Sequence, residues 1–272
     1  MRNPIVAGRF YPDDPSKLKV FIEMSFTHPI GPGTPTGIGN AREIRGMMVP
    51  HAGYEFSGPV AAYAFKAMAE DGIPDVYVII GPDHYGTARG CNVLSSEDFA
   101  TPFGVCHSDA DVCRALSREI PDIPSAHRFE HSIEVELPFI QYFDDSPSIV
   151  PIIMGDQSEE SAAHLAGVLK DVLDGRDAVV VASSDMSHYI PRPEASRLDG
   201  LVMERIGACD IGGMYREIRD NGITMCGYGP VAAMMGYCDG CHPTDMIRAD
   251  SFDGTDCDRD SVVGYGAAVF RV

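Results

Sequence analysis

Tryptophan is absent from this 272-residue chain, and basic residues are scarce: 21 Lys and Arg face 40 Asp and Glu, for a formal charge of −19. The missing tryptophan excludes nothing by itself. The scarcity of cations excludes more. A nucleic-acid binder needs a basic face to neutralise phosphates, and an anionic membrane asks for the same. The acids are dispersed rather than blocked, which fits solubility or a salty cytoplasm better than an acidic recognition tail. No apolar run approaches the length of a membrane helix, and the opening Met1-Arg-Asn-Pro-Ile-Val-Ala-Gly8 lacks the apolar core of a signal peptide. A cytoplasmic protein is therefore expected, with its eight cysteines as thiols. Their scattered positions do not read as a disulfide framework. Internal repeats and low-complexity linkers are also missing, so one domain over residues 1–272 is expected. A chain this long buries roughly 70–75% of its unfolded surface and needs no metal or disulfide to fold.

What the chain does have is alternation. Apolar strand-like runs at 44–50, 75–81, 90–96, 148–154, 177–183, 245–252 and 261–270 alternate with helical periodicity at 16–24, 58–70, 109–119, 131–143, 158–173, 194–207, 210–220 and 226–237. Pro138 is positioned to kink the fourth of those helices. The pattern specifies an α/β fold with helices on both faces of a sheet. Strand order is not readable from it.

Three of the strand-like runs end in groups that do chemistry. Gly46–Pro50 runs into His51, Val76–Ile80 into His84, and Ala178–Ala182 into Asp185 and His188. Ligands of open α/β sheets bind beyond the carboxyl ends of the strands, so the three ends suggest one metal or catalytic centre. Each histidine could instead cap a strand end through backbone hydrogen bonds. If Asp185–His188 forms a helical turn, both side chains share a face, and His188 could serve as a base beside an orienting or metal-binding carboxylate. Ser183 and Ser184 raise a serine-hydrolase reading, but no G-x-S-x-G elbow accompanies them. Cys226 stands where a helix is expected to begin, and a helix N-terminus stabilises a thiolate; a small buried hydrophobe is the alternative. Behind these groups, Asp83 could orient an imidazole, and His131 and Glu134 lie one helical turn apart. Tyr54, in the His51 motif, joins these supporting candidates. Cys238-Asp-Gly-Cys241 has C-x-x-C spacing but lacks the second pair that a structural zinc needs.

Taken together, P-H-A-G-Y at 50–54, G-P-D-H at 81–84, E-H-S-I-E at 130–134, S-S-D-M-S-H at 183–188 and C-G-Y-G-P at 226–230 resemble the MEMO family, as does the opening Val6-Ala-Gly-Arg-Phe-Tyr-Pro12. The resemblance runs over nearly the whole chain, in order. It implies the fold of class III extradiol dioxygenases, a three-layer αβα arrangement around a mixed sheet. It implies His51, His84 and Cys226 as metal ligands, with Asp185 and His188 beside the metal. Iron or copper is the cofactor it suggests, and zinc fits the same donors. Human relatives of the family bind phosphotyrosine peptides, and prokaryotic ones are similar to part of a system that includes an AMMECR1-like protein and a radical-SAM protein. The dioxygenases use two histidines and a carboxylate, whereas this pattern supplies a cysteine, which favours softer metals. The human pattern also has Cys where this chain has Ser187. Three functions follow as expectations: metal-dependent redox chemistry on a small molecule, a non-catalytic peptide- or metal-binding protein, or a zinc hydrolase.

Overall fold

The computed structural model describes residues 1–272. The chain opens with an irregular segment and α1 (Pro15–Thr27), capped by Asp14 accepting from the Lys17 N–H. β1 (Ile44–Val49), α2 (Tyr54–Asp71) and β2 (Val76–Pro82) follow, then the short strands β3 (Asn92–Leu94), β4 (Phe99–Thr101) and β5 (Gly104–Ser108). Next come α3 (Ala110–Leu116), α4 (Leu137–Gln141), β6 (Ser148–Met154), α5 (Glu159–Val172), β7 (Ala178–Ser183) and β8 (His188–Ile190). The chain closes with α6 (Arg192–Gly207), α7 (Ile211–Asn221), α8 (Tyr228–Tyr237), β9 (His242–Asp250), α9 (Ser251–Thr255) and β10 (Val262–Arg271).

One ten-stranded sheet runs in the order β4-β5-β6-β2-β7-β1-β10-β8, with β3 on β6 and β9 on β10. Its centre, β6-β2-β7-β1, is parallel, and β10 pairs antiparallel to β1. The sheet is thus mixed. Its central strands are buried on both faces, so they read as continuous apolar runs rather than alternating ones. Within β2, Val78 and Ile80 face one layer and Tyr77 and Ile79 the other; β7 divides Val180 and Ala182 from Val179 and Val181 in the same way. The first set packs under α3, α5, α6, α7 and α8, the second under α1, α2 and α4. Two cores on opposite faces of one sheet make the expected three layers.

Three local expectations differ from the structure. The helix expected over 131–143 breaks into a 3-10 turn at Glu134–Glu136 and the short α4. Pro138 sits in the first turn of α4, where its missing N–H costs nothing. The expected strand 245–252 ends at Asp250, because Asp250 and Asp253 form a capping box that starts α9. The β4–β5 hairpin and β8 are too short, and too polar on their outer faces, to stand out as periodic runs.

Candidate metal centre

The strand order explains why the histidine and aspartate motifs meet. β1, β7 and β2 are parallel neighbours, with Val49 in register with Ser183 and Ile80 with Ala182. Their carboxyl ends therefore deliver His51, Asp185 and His84 side by side. Cys226 arrives just before α8, and its backbone N–H donates to the Asp185 carbonyl at 3.3 Å. One ligand atom from each of His51, His84 and Cys226 lies within 4.8 Å of the other two. Cys226 Sγ is 3.3 Å from His51 Nε2.

Each histidine is held by its other nitrogen. His51 Nδ1 lies 2.7 Å from Ser183 Oγ, which is also 2.8 Å from the Ser132 carbonyl and 2.8 Å from Glu136 Oε1. A serine hydroxyl has one hydrogen and two lone pairs. The carbonyl can only accept, so the hydroxyl hydrogen goes there. Both remaining partners must then donate to Ser183: His51 through Nδ1–H, and Glu136 as a protonated acid. Burial pushes the Glu136 carboxyl well above the usual carboxylate range, which agrees with that assignment. The result leaves His51 Nε2 as a bare lone pair aimed at Cys226. Burial, and then the neighbouring histidines, also keep His51 neutral, with its pKa well below normal.

His84 is anchored by Glu130. Its Nδ1 is 2.9 Å from Oε1 and its backbone N–H donates to Oε2 at 2.8 Å. The N–H groups of His131 and Ser132 donate to the same carboxylate. Burial would raise the Glu130 pKa, but the His84 contact and these donors bring it down to about 2. For His84 burial works against charge, and Glu130 outweighs it to raise the pKa. Cys226 departs from its expected state. α8 begins two residues later, at Tyr228, and burial followed by the Asp185 charge pushes the thiol well up. The helix start does not produce a thiolate here; a bound cation would have to. A neutral imidazole at His51, a second imidazole at His84 held by Glu130, and a buried thiol form a donor set that suits a transition metal.

A family model described as Memo-like protein matches residues 2–269. The chain belongs to that family. It is 43% identical over 272 residues to a MEMO1 family protein of Methanothermobacter thermautotrophicus, covering 97% of this chain and 98% of the relative. A MEMO1 family protein of Metallosphaera sedula is 39% identical over 278 residues, covering 99% of each. Among solved structures, an uncharacterized protein of Escherichia coli K12, JW3007, shares the fold, with a TM-score of 0.54 and 13% identity over 82% of this chain and 99% of that one.

In this Memo-like chain the remaining candidates divide between site and scaffold. His51 and His84 line a cavity of about 580 Å³ whose wall also includes Asp185, His188, His131, Phe10, Phe56 and Tyr265. Asp185 is not in a helical turn with His188. Residues 184–187 form neither helix nor strand, and the Asp185 carboxylate accepts from the His51 N–H at 2.9 Å. Burial raises its pKa to about 6. His188 is oriented by the backbone instead: Nδ1 lies 2.9 Å from the Thr224 carbonyl, so it carries the proton and leaves Nε2 basic. His131 stacks on His84 with ring centroids 4.7 Å apart, and burial lowers its pKa to about 4.

Glu134 does not share a helical face with His131. It accepts from Arg2, from the Ile5 and Val6 N–H groups and from the Tyr11 hydroxyl, and so ties down the N-terminal segment that carries Phe10 to the cavity. Asp83 orients no imidazole; it caps the following turn at the Thr87 and Ala88 N–H groups, and Glu130 does the orienting. Tyr54 donates to the Val135 carbonyl within the core. Ser187 turns away from the candidate ligands onto the buried Asp199 carboxylate. Glu130, Glu136 and Thr224 were not singled out by the sequence reading. Only the E-H-S-I-E motif, which contains Glu130, pointed near them.

Proposed function

We propose that this Memo-like protein binds one redox-active transition metal ion, iron or copper, through His51, His84 and Cys226, and acts on a small molecule in the adjoining cavity. The observation that supports the reading is the convergence of three ligand atoms within 4.8 Å from parts of the chain up to 175 residues apart. Two imidazole nitrogens and one thiolate satisfy a soft-to-borderline ion and leave coordination positions open. When bound, such an ion supplies electron transfer and polarises a substrate atom next to it.

The chain's own residues do the rest. Glu130 and Ser183 keep the imidazoles in one tautomer and one orientation. His188 Nε2 is the basic nitrogen of the cavity wall and takes a proton from substrate. Asp185, with its pKa near 6, holds or accepts a second proton near neutrality. Phe10, Phe56 and Tyr265 give the substrate an apolar bed and thin the water around the chemistry.

The test is elemental analysis of protein purified without oxygen, alongside Cys226→Ser. About one iron or copper per chain in the parent, and loss of most of it in the variant, is the expected result. A variant that keeps the full metal content would remove Cys226 from the site.

A further inference from the structure

At the opposite end of the sheet from the metal ligands lies a second piece of chemistry. Cys238 caps the C-terminus of α8, and a tight turn through Gly240, at φ +89°, brings the chain back to Cys241, whose N–H donates to the Cys238 carbonyl at 2.8 Å. Such a turn brings two residues three apart to the Cα separation a disulfide needs. Cys238 packs against β1, where Gly46 makes the room: a Cβ there would sit 2.5 Å from its sulfur. Cys241 borders two cavities. One, of about 430 Å³, also includes Cys209 and Cys238; the other, of about 620 Å³, includes Arg45 and Lys170.

We propose that Cys238 and Cys241 are a thiol–disulfide exchange site, which a low-molecular-weight disulfide oxidises reversibly to an intramolecular disulfide. Access is through the larger cavity, past Arg45 and Lys170. The two thiols are unequal. Cys238 lowers the pKa of Cys241 to about 7, with Arg45 and Lys170 adding to the effect, while the same contact, followed by burial, pushes Cys238 well up. Cys241 is therefore the attacking sulfur and Cys238 the resolving one. The Cys241 thiolate attacks one sulfur of the reagent, RSSR, and expels RS⁻, which takes up the proton Cys241 has released. Cys238 then loses its proton and attacks the Cys241 sulfur, forming the protein S–S bond and expelling a second RS⁻, which that proton converts to RSH. Two protein thiols are oxidised and one RSSR is reduced to two RSH. The remaining neighbour, Cys209, donates to the Cys241 carbonyl at 3.9 Å and is the competing partner.

Oxidised glutathione is the probe, added to the full chain at pH 7, followed by acid quenching and peptide mapping without reduction. The expected product is a Cys238–Cys241 linkage, a loss of about 2 Da, that dithiothreitol reverses. Cys238→Ser should instead trap glutathione on Cys241. Because the mapping on the parent chain needs no variant, a misfolded Cys238→Ser leaves the result intact. A stable glutathione adduct on Cys241 of the parent, a Cys209–Cys241 linkage, or no modification of Cys241 while exposed Cys91 reacts would each overturn the proposal.

Discussion

Ser183 carries the most consequential hydrogen bonds in the site, because three partners compete for its single hydrogen. The arrangement closes only with Glu136 protonated, and that has a consequence for stability. The unfolded chain releases the Glu136 proton near pH ~4.3, whereas the folded chain holds it to a much higher pH. Between those values the folded state binds the extra proton, so stability falls as pH rises; below about pH 4 both states hold it and the penalty vanishes. Glu136→Gln cannot ionise and keeps a donor toward Ser183. Its thermal midpoint should exceed the parent's at pH 8 by at least about 2–4 °C, the shift that one kcal/mol makes in a chain near this size. The two should converge near pH 4. A variant that is less stable than the parent at both pH values would show Glu136 to be ionised. His188 yields a second residue-scale prediction. Since Thr224 fixes its tautomer from outside the metal cluster, His188→Gln should keep the bound metal while lowering any metal-dependent turnover by about 10²–10⁴-fold. Metal loss as complete as in His51→Gln would make His188 a ligand.

The elements explain why the ligands sit where they do, and which of them the sequence revealed. His51, His84 and Asp185 were legible because each follows a largely buried strand, and such strands announce themselves as apolar runs. Their adjacency was not legible, since it depends on the order β2-β7-β1, which no local pattern encodes. The carboxylates behind them escaped for a different reason. Glu130 precedes, and Glu136 lies within, a stretch that reads as one helix but is a turn, a 3-10 turn and a short helix, and a helical reading gives neither a place beside the histidines. The start of α8 is similarly constrained. A Cβ at Gly227 would lie 2.4 Å from the Ser183 carbonyl and 2.7 Å from Ser184 Cβ. Gly227→Ala must therefore push the α8 start away from β7, taking Cys226 with it. A destabilisation of about 1–3 kcal/mol and weaker metal retention are expected in urea melts and in chelator competition. Unchanged metal retention would show that Cys226 does not depend on this packing.

At the scale of the whole molecule, folding is expected not to depend on the proposed metal. Two extensive apolar cores, one on each face of the sheet, hold the chain together, and the candidate ligands lie beyond the carboxyl ends of its central strands rather than inside either core. Around the cluster, Glu130 pairs with His84 and Glu134 with Arg2. What the sequence carried at this scale was the class of fold and the family; what it did not carry was the way long-range pairing turns separate motifs into one site. The central claim is that His51, His84 and Cys226 share one ion. X-ray absorption at the edge of the bound metal, on protein purified without oxygen, tests it most directly. The account predicts one sulfur scatterer at ~2.3 Å with nitrogen or oxygen scatterers at ~2.0–2.1 Å, and loss of the sulfur shell or of the metal itself in Cys226→Ser, with a cooperative thermal transition retained. A metal shell of nitrogen and oxygen alone in the parent, or one unchanged in Cys226→Ser, would contradict it.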